Sequence, residues 1–538
     1  MPLTVAILGG GVGGLSAAHE LAERGFQVRV FEAKPVMGGK ARSIPVPDSA
    51  APGRKPLPGE HGFRFFPGFY KHVIDTMRRI PYGAHGNTFD NLAVATRMLL
   101  ARSGQAEITW LARCPANLED LRVFLTELFT PFGVPPQELA FFVSRLLMVA
   151  TSCQERLLEE FEKIAWWEFI AAPRMSKTYQ AYLGEGLTRS LVAMRAEESS
   201  TRTVGVTQLQ LLYGLIGPEG VFDRLLSGPT NDVWIDPWTQ YLQKSGVEFH
   251  PGTRVTGIET DGAHVTGVAV DGGPHITADY YLAALPVERM AALLTDTLRK
   301  AAPSIANLDK LQTRWMNGIQ FYLAQDVPVV NGHAIYLDSP WALTSISQRQ
   351  FWKNVDFSQL GNGTARGILS VDVSEWQQPG VLYGKPAAAC TAAQIKDEVW
   401  AQLKQHLNAG GAVTLEDANL LGWFLDPDIE FPNPGTAANA EPLLINTAGS
   451  LQYRPEAQIE LDNLFLASDY VRTYTDIACM EAANEAARRA VNCVLAASGT
   501  AAPAAQLWPL EEPEFLKPLQ EVDRIRFGLG LKHHLDMG

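Results

Sequence analysis

Cysteine is scarce in this sequence. Five cysteines occur among 538 residues, and no two of them are spaced as Cys-x-x-Cys. An odd number of scattered thiols argues against a disulfide framework and against a structural zinc site. Reduced and mostly buried thiols in a cytosolic protein fit this pattern better. The positions are Cys114, Cys153, Cys390, Cys479 and Cys493.

Hydrophobic runs long enough to cross a bilayer are also missing. A membrane-spanning helix needs roughly 18 or more apolar residues in a row. The longest candidate, residues 139–150, is too short and contains Arg145. The first residues enter a predicted strand almost at once, so we expect no signal peptide. These features predict a cytoplasmic protein and leave contact with a membrane surface open.

Positive charge is in short supply, with 45 Lys and Arg against 58 Asp and Glu and a net charge of −13. This balance argues against a nucleic-acid partner and against docking on anionic membranes by charge alone. With 46% hydrophobic and 19% charged residues, the chain has an ordinary globular composition. No Ser-His-Asp order, His-Glu-x-x-His motif or metal-ligand cluster is recognisable, so we predict no metal.

The first forty residues carry the strongest pattern in the chain. The apolar stretch Thr4–Leu8 is predicted to form a buried parallel strand, and residues 15–24 a helix. Between them, Gly9, Gly11 and Gly14 fit the motif G-x-G-x-x-G. Such glycines permit a tight turn, the close approach of a pyrophosphate and close packing of helix against strand.

An acidic residue follows at the spacing that this motif requires. A second predicted strand, residues 27–31, leads into Glu32, 23 positions after Gly9. The expected spacing of a ribose-binding acid is about 20. The phosphate would sit at the helix N-terminus, where free N–H groups and the helix dipole favour an anion. The sequence therefore predicts a Rossmann-type dinucleotide site.

The segment after Glu32 helps to decide which dinucleotide cofactor the site binds. Residues 33–43 resemble the second glycine motif of the large flavoprotein family that includes amine oxidases, carotenoid desaturases and protoporphyrinogen oxidase. In that family a Gly-Gly pair, here Gly38 and Gly39, and a nearby basic residue run along the FAD diphosphate. The resemblance implies FAD and not NAD, because a nicotinamide dehydrogenase would not need this extension.

Residues 59–70 resemble a segment of the phytoene and zeta-carotene desaturases of the plant and cyanobacterial type. In those enzymes the pattern Gly-Leu-His-x-Phe-Phe-Gly-x-Tyr passes beside the flavin ring. Two residues depart from it: Arg64 interrupts the aromatic run, and Pro67 is an extra residue. The phenylalanines also fit a strand core. An arginine among aromatic side chains needs an anion or a dipole to face.

Two later segments resemble the remaining parts of the family's FAD site. Residues 278–286 resemble a strand that ends in Ala-x-Pro near the flavin, and the backbone at Val255 would meet the adenine. Residues 463–485 resemble the C-terminal FAD motif, with Asp469 at the ribityl–phosphate region and Met480 under the pyrimidine end of the flavin. A helix N-terminus there would stabilise the charge that a reduced flavin carries near N1.

The resemblance implies a set of FAD-binding residues and a smaller set at the substrate. The FAD set is Gly9, Gly11, Val12, Gly13, Gly14, Glu32, Ala33, Lys34, Gly38, Gly39, Lys40, Ala41, Arg42, Gly62, Phe63, Arg64, Val255, Ala284, Pro286, Asp469, Cys479, Met480 and Ala483. Arg64 is also a catalytic candidate that stabilises an anion or covers the flavin. Tyr470 and Tyr474 are candidates for lining the substrate pocket. Arg454, in an Arg-Pro that related desaturases share, either faces the site or lies in an ordinary loop.

The implied fold class is α/β, with a Rossmann-type FAD-binding domain interleaved with a substrate domain of mixed sheet and helices. The FAD domain is predicted at 1–80, 228–290 and 440–500, the substrate domain at 81–227 and 291–439, and a linker and docking tail at 501–538. Asn117 is a predicted N-cap for residues 118–128. A second helix opens at Pro136 and is apolar on most of its surface. Such a helix forms a lobe core, a tunnel wall or a lipid-facing surface.

The leading hypothesis is an FAD-dependent oxidoreductase that desaturates a long apolar molecule, such as a carotenoid, an isoprenoid or an acyl chain. Its mechanism would be hydride transfer from an allylic carbon to flavin N5. One alternative is a flavin amine oxidase, and another is an isomerase or hydratase that uses FAD without net oxidation. The GDP-dissociation inhibitors share the fold without flavin, but Glu32, Asp469 and the pair Met480-Glu481 argue against that class.

Overall fold

A parallel sheet assembled from distant parts of the chain organises the fold. The structure is a computed structural model that describes residues 2–104, 117–216, 221, 223–408 and 413–536. The sheet consists of β1 (Thr4–Leu8), β2 (Gln27–Glu32), β3 (Glu248–Pro251), β4 (Tyr280–Ala283) and β5 (Leu464–Leu466). Their order across the sheet is β3-β2-β1-β4-β5, and every pair is parallel. This arrangement confirms the predicted α/β class and the Rossmann-type topology.

Helices cover this sheet and explain why its strands are apolar. The first helix, Val12–Ala22, packs against the C-terminal helix Met480–Ser498. The Nδ2 group of Asn484 donates a hydrogen bond to Ser16 Oγ across this contact, at 2.8 Å. Parallel strands that are buried on both faces need apolar side chains throughout. Ala6, for example, is fully buried.

A second, largely antiparallel sheet of six strands forms the other main layer. Its order is Leu420–Leu425, Asn317–Leu323, Gly367–Val373, Leu343–Ser347, Ala334–Tyr336 and Leu99–Ala101. The last two strands pair in parallel, so residues from both predicted stretches of the substrate domain share one sheet. The helix Ala392–Leu407 packs on this sheet through an apolar cluster that includes Phe321 and Trp400.

A helical lobe is built from residues 118–216. Its helices are Leu118–Phe129, Pro136–Ala150, Gln154–Glu159, Trp166–Phe169, Lys177–Tyr179, Leu187–Val192 and Thr201–Ile216. Asn117 caps the first of them as predicted, because its Oδ1 accepts the Asp120 N–H at 3.0 Å. The apolar helix Pro136–Ala150 lies in the lobe core, with Phe142 and Leu146 fully buried. Within the described residues, no helix combines the length and hydropathy needed to cross a bilayer.

Shorter elements connect the two sheets. Phe65–Pro67, Asp223–Leu226 and Leu92–Val94 form a three-stranded sheet that crosses the predicted boundaries at residues 80 and 228. The division into two domains therefore stays a proposal. The remaining helices and strand pairs are His72–Arg79, Asp236–Lys244, Val287–Ala292, Asp296–Ala301, Ser43–Pro45 with Pro58–Glu60, Pro81–Tyr82 with Gly86–Asn87, Val255–Thr260 with Val265–Val270, Gln312–Arg314 with Leu443–Ile445, and Ile429–Asn433 with Thr436–Asn439.

The C-terminal tail docks on the helical lobe through a buried charge cluster. Its helix, Lys517–Gly528, contributes Asp523, which is fully buried. The Nε group of Arg156 donates to Asp523 Oδ2 at 3.0 Å, and the backbone N–H of Cys153 donates to the same oxygen at 3.0 Å. From the sequence, the tail could dock on the body of the protein, on a partner subunit or on a membrane, and this contact joins it to the body.

The described cysteines carry free thiols. They are Cys153, Cys390, Cys479 and Cys493, and Cys114 lies outside the described residues. Burial raises the pKa of Cys153 to about 11 and that of Cys479 to about 12. These two thiols are therefore protonated at neutral pH.

Candidate active site

A cavity of about 1060 Å³ lies at the carboxyl ends of the parallel strands. Gly9, Glu32, Ala284 and Ala467, each at or next to the last residue of β1, β2, β4 or β5, line it. Ligands of doubly wound sheets bind at this edge. The cavity is larger than the roughly 300–1,000 Å³ that is usual for small-molecule sites. It therefore has room for a dinucleotide and for part of a second molecule.

Two helix N-termini face this cavity. The first helix begins at Val12, and no side chain caps it. The Met480–Ser498 helix begins at the other side, where Cys479, Met480 and Ala483 line the cavity. Free N–H groups and the positive dipole ends of two helices favour an anionic ligand such as a diphosphate.

Gly13 allows these helices to approach each other and the sheet. A Cβ atom on Gly13 would lie 2.1 Å from the carbonyl oxygen of Ala467, at the end of β5. The same atom would lie 3.5 Å from the carbonyl oxygen of Ala483 in the C-terminal helix. Gly14 does not line the cavity and packs against the Gly9 backbone. The glycine turn therefore has no room for a side chain at Gly13, which faces the end of β5, or at Gly14, which faces the Gly9 backbone.

Glu32 is held ready to accept further hydrogen bonds. Its Oε2 accepts the Gly10 N–H and its Oε1 accepts the Lys34 N–H, each at 2.8 Å. Each carboxylate oxygen has two lone pairs, so one on each oxygen is left for a ligand. Because Glu32 lines the cavity, these positions suit the two hydroxyl groups of a ribose.

The second glycine motif lies directly against the first. The Gly38 N–H donates to the Gly10 carbonyl oxygen at 2.8 Å, and Gly11 and Gly38 form an isolated parallel bridge. Gly39, Lys40 and neighbouring residues line the cavity on this side. Together, the glycine turns, the acid and the two helix ends match the shape and charge of a dinucleotide.

Arg42 is placed differently from the sequence prediction. It does not line the cavity, and its guanidinium contacts Asp428 Oδ2 at 2.5 Å and Glu441 Oε2 at 3.1 Å. Lys34 Nζ contacts the same two acids, at 2.9 and 3.0 Å. The carboxylates of Asp428, which is buried, and Glu441, which is partly exposed, therefore hold Arg42 away from a diphosphate. Lys34 keeps a place on the cavity lining, but its charge is shared with these acids.

The acids of this network are strongly ionised. Burial would raise the pKa of Asp428, but the nearby His61 and the charges of Arg42 and Lys34 hold it well below its usual range. His61 Nδ1 lies 2.7 Å from Asp426 Oδ2. His61, Asp426 and Asp428 come close enough together to hold a metal ion. The cations of Arg42 and Lys34 already neutralise this group, so the network holds the loops together through internal ion pairs.

Arg64 lies between two buried acids beside the cavity. Its Nη2 donates to the Lys40 carbonyl oxygen at 2.8 Å. Burial raises the pKa of Glu60 to about 7 and that of Asp372 to about 6, although the charge of Arg64 opposes both shifts. Arg64 and Asp372 line the cavity. From the sequence, Arg64 needs an anion or a dipole to face. Glu60 and Asp372 of this chain supply that negative charge.

The two tyrosines predicted at the substrate lie elsewhere. Tyr470 is fully buried in the core around the parallel sheet, and Tyr474 is 45% exposed with the Arg489 guanidinium 4.6 Å from its ring centre. Neither residue lines the cavity. The prediction for both is corrected, because the loop after β5 turns their side chains into the core and to the outer surface.

Arg454 determines the course of that loop. It is buried, and its guanidinium donates to the carbonyl oxygens of Asp469, Tyr470 and Val471 at 2.9, 3.0 and 2.8 Å. It also forms an ion pair with Asp476. The sequence left open whether Arg454 faces the site or lies in an ordinary surface loop. The structure supports neither alternative, because the side chain is buried and binds the loop after β5. Arg454 positions the segment that carries Asp469 to the cavity.

Glu481 also has a role that the motif did not reveal. Its carboxylate accepts the backbone N–H groups of Lys71, His72 and Val73 at 2.7, 2.8 and 3.0 Å. These are the first donors of the helix His72–Arg79, and no side chain of that helix caps them. Glu481 therefore joins the C-terminal helix to a segment about 410 positions away in sequence.

Several cavity residues were missed because they lie outside the three cofactor motifs. They are Thr207, Leu211, Glu288, Leu293, Met316, Asp372 and Glu430. One of them leaves a signal in the sequence: Asp372 is the single charged residue in the otherwise uncharged strand Gly367–Val373. An acid in a buried strand needs a partner or a function.

The site defines a flavoprotein class, and comparisons with known proteins agree. The family profile described as flavin containing amine oxidoreductase matches residues 12–495. Zeta-carotene desaturase of Synechocystis sp. is 23% identical over 92% of this chain and 97% of its own length. The 15-cis-phytoene desaturase of Synechococcus elongatus is 22% identical over 87% and 91%. Cyclohexylamine oxidase of Brevibacterium oxydans has a TM-score of 0.59 at 13% identity, covering 93% of this chain and 99% of that one, and shows the shared fold.

The protein is an FAD-dependent oxidoreductase of the phytoene desaturase-like kind. The chain belongs to the flavin-containing amine oxidoreductase family. FAD fits the open hydrogen-bond positions of Glu32 and the two helix N-termini. The individual FAD-contacting residues, most of which line the cavity, remain predictions.

Arg64 can be tested by substitution, with FAD content measured beside turnover. Replacing it by alanine removes the cation that keeps Glu60 and Asp372 partly ionised, so we expect FAD content to be retained and flavin reduction to slow by roughly 100-fold. Flavin absorbance reports the content, and turnover reports the rate. The exposed Arg54 supplies the control, Arg54→Ala. Unchanged turnover in Arg64→Ala would remove Arg64 from the catalytic candidates.

Proposed function

We propose that the protein desaturates a long apolar substrate, such as a carotenoid or another isoprenoid chain, by hydride transfer to FAD. The observation that carries this proposal is the cavity, which continues from the glycine cradle to apolar side chains. These are Phe63, Phe65, Phe69, Leu211, Leu293, Met316 and Ile477. The names of the two desaturases support the same substrate class, since each is similar over most of its length.

When bound, FAD supplies a two-electron acceptor for the hydride. The rest of the chemistry follows from this chain's own residues. The apolar walls exclude water and hold a chain-like substrate in one orientation, which converts a bimolecular encounter into an oriented one. The N-terminus of the Met480–Ser498 helix stabilises negative charge that develops beside it.

The amine oxidase alternative would place an aromatic cage beside the flavin. Tyr470 and Tyr474 were candidates for that cage, although they form no clear pair in the sequence, and neither lines the cavity. The solved structures of amine oxidases share the fold with this chain at 13% identity, which says nothing about the substrate. An isomerase or hydratase would use the same cavity and differs only in the outcome of the reaction.

The deciding experiment mixes the holoprotein anaerobically with zeta-carotene, phytoene, oleic acid or putrescine. We expect only a polyene to bleach the flavin absorbance and to lose two hydrogens, seen as a product lighter by two mass units. Free FAD with the same polyenes is the control. Bleaching by putrescine alone would overturn the proposal in favour of an amine oxidase. A polyene converted without bleaching and without a change of mass would identify an isomerase.

Such substrates are insoluble in water, so we propose that they arrive from a lipid surface. The tail helix exposes apolar side chains on one face, with Val522 50%, Ile525 59% and, just beyond its end, Leu529 70% exposed. This spacing of three and four residues forms a stripe on a helix. Supplying the polyenes in phosphatidylcholine vesicles tests this point. Protein that stays in the supernatant after sedimentation would contradict it.

A further inference from the structure

One acid on the cavity wall, Asp372, is buried in a strand whose other residues are all uncharged. Asp372 lies in the strand Gly367–Val373, all of whose residues are buried, and it pairs with Gly318 and Thr344 on the neighbouring strands. Its side chain lines the cavity and the residue is only 4% exposed. The acid therefore stands on a rigid, central part of the antiparallel sheet.

The carboxylate of Asp372 is incompletely satisfied. Its Oδ1 is buried and has no hydrogen-bond partner among the described residues. The same oxygen faces Gly62, where an added Cβ atom would lie only 2.9 Å away. Leaving a buried polar group unpaired costs about 1–3 kcal/mol. An unpaired carboxylate that is retained beside a ligand cavity indicates that Asp372 acts on the bound ligand.

Several charged or titratable groups act on Asp372. Burial raises its pKa to about 6, while Arg64, His333, His61 and the Phe63 backbone act in the opposite direction. The Glu60 carboxylate belongs to the same cluster and interacts with Asp372 through space. Near neutral pH the group is mostly ionised, yet it is a stronger base than an ordinary aspartate. A general base works best when its pKa lies close to the working pH.

We propose that Asp372 is the base that accepts the substrate proton during desaturation; this rests on the function proposed above. Two C–H bonds on adjacent carbons break. One hydrogen leaves with its electron pair as hydride to oxidised FAD. The other leaves as a proton to the Asp372 carboxylate, and its bonding pair becomes the new π bond. The substrate loses two hydrogens and two electrons, and Asp372 becomes a neutral carboxylic acid.

The test compares the FAD-loaded wild type with Asp372→Asn and Asp372→Glu in anaerobic single-turnover bleaching by the polyene found above. The wild-type rate should rise with pH through about 6, because only the ionised carboxylate accepts a proton. In Asp372→Asn we expect a rate lower by roughly 100-fold or more and no inflection near that pH. Asp372→Glu should restore a measurable rate and the inflection.

A matched control changes the same residue type outside the cavity. Asp326→Asn alters a partly buried aspartate of raised pKa that does not line the cavity. It should keep the wild-type rate within about twofold and the wild-type pH profile. If Asp372→Asn matches this control, the proposal fails while the desaturase function stands. If no polyene bleaches the wild type, the function fails instead.

A second measurement does not depend on turnover. The infrared difference spectrum of the holoprotein should show a carboxylic-acid band that grows as the pH falls through about 6, and Asp372→Asn should lose that band. Glu60, whose pKa burial raises to about 7, should contribute a separate band in both proteins. A band that still grows in the variant as the pH falls through about 6 would overturn the assignment. Should Asp372→Asn bind no FAD, Asp372→Glu decides: a wild-type rate without any inflection near pH 6 would contradict the assignment of the base.

Discussion

Replacing Arg454 by methionine is expected to deprive the protein of FAD and to destabilise it by about 3–5 kcal/mol, the usual cost of removing one partner of a buried ion pair. The substitution keeps an unbranched apolar stem but leaves three carbonyl oxygens without their buried donor and leaves Asp476 with Arg202 as its remaining ion-pair partner. The loop that carries Asp469 to the cavity then loses its anchor. FAD content after purification and the thermal midpoint of the apoprotein measure the two effects.

We expect the apoprotein midpoint of Arg454→Met to fall by about 3–4 °C, because the entropy of unfolding of a chain of this size is about 1.1 kcal/mol/K. The control is Arg122→Met, which removes an arginine that is 51% exposed and pairs with Glu119 on the surface. Exposed pairs contribute about 0–1 kcal/mol, so this variant should keep its midpoint and its FAD. Equal behaviour of the two variants would show that the buried guanidinium does not hold the loop.

Replacing Gly13 by alanine is the second change with a large expected effect. The new Cβ atom would lie 2.1 Å from the Ala467 carbonyl oxygen, so the first helix or the end of β5 must move. Overpacking of this kind costs about 1–3 kcal/mol. The displacement falls on the helix N-terminus that faces the cavity. If the whole cost opposes FAD binding, affinity falls by roughly 10- to 100-fold.

The control for this variant is Gly257→Ala, another glycine of the predicted FAD domain. Its added Cβ atom would meet the Ala269 Cβ at 3.6 Å, an ordinary contact. Titrating both apoproteins with FAD and following the quenching of flavin fluorescence compares the affinities. Wild-type affinity in Gly13→Ala would mean that the turn can shift without disturbing the cofactor, and that the close approach is not essential.

The sequence could predict the parts of the site that are local in the chain. A strand, a glycine turn, a helix and an acid follow one another within residues 4–32, and the structure shows each in place. The conformation of such a unit depends on neighbours a few positions apart. Glycine spacing and apolar periodicity report those neighbours directly.

The partners of charged side chains could not be predicted in the same way. Arg42 was expected on a diphosphate because a basic residue follows the second glycine motif. Its nearest partner is Asp428, 386 positions away. Glu481 was assigned through its neighbour Met480 but binds the N-terminus of a helix about 410 positions away. A charge pairs with whatever the fold brings near, and local sequence carries no record of that choice.

The sequence by itself determined the α/β fold, the cofactor class and the cradle around Gly9, Gly11 and Glu32, because these depend on short-range geometry. Tertiary structure alone decided which side chains line the cavity outside the cofactor motifs. It removed Tyr470 and Tyr474 from that wall and placed Asp372 there. The physical reason is that the wall is assembled from several elements, so its composition depends on how the two sheets pack and not on the order of residues within any one of them.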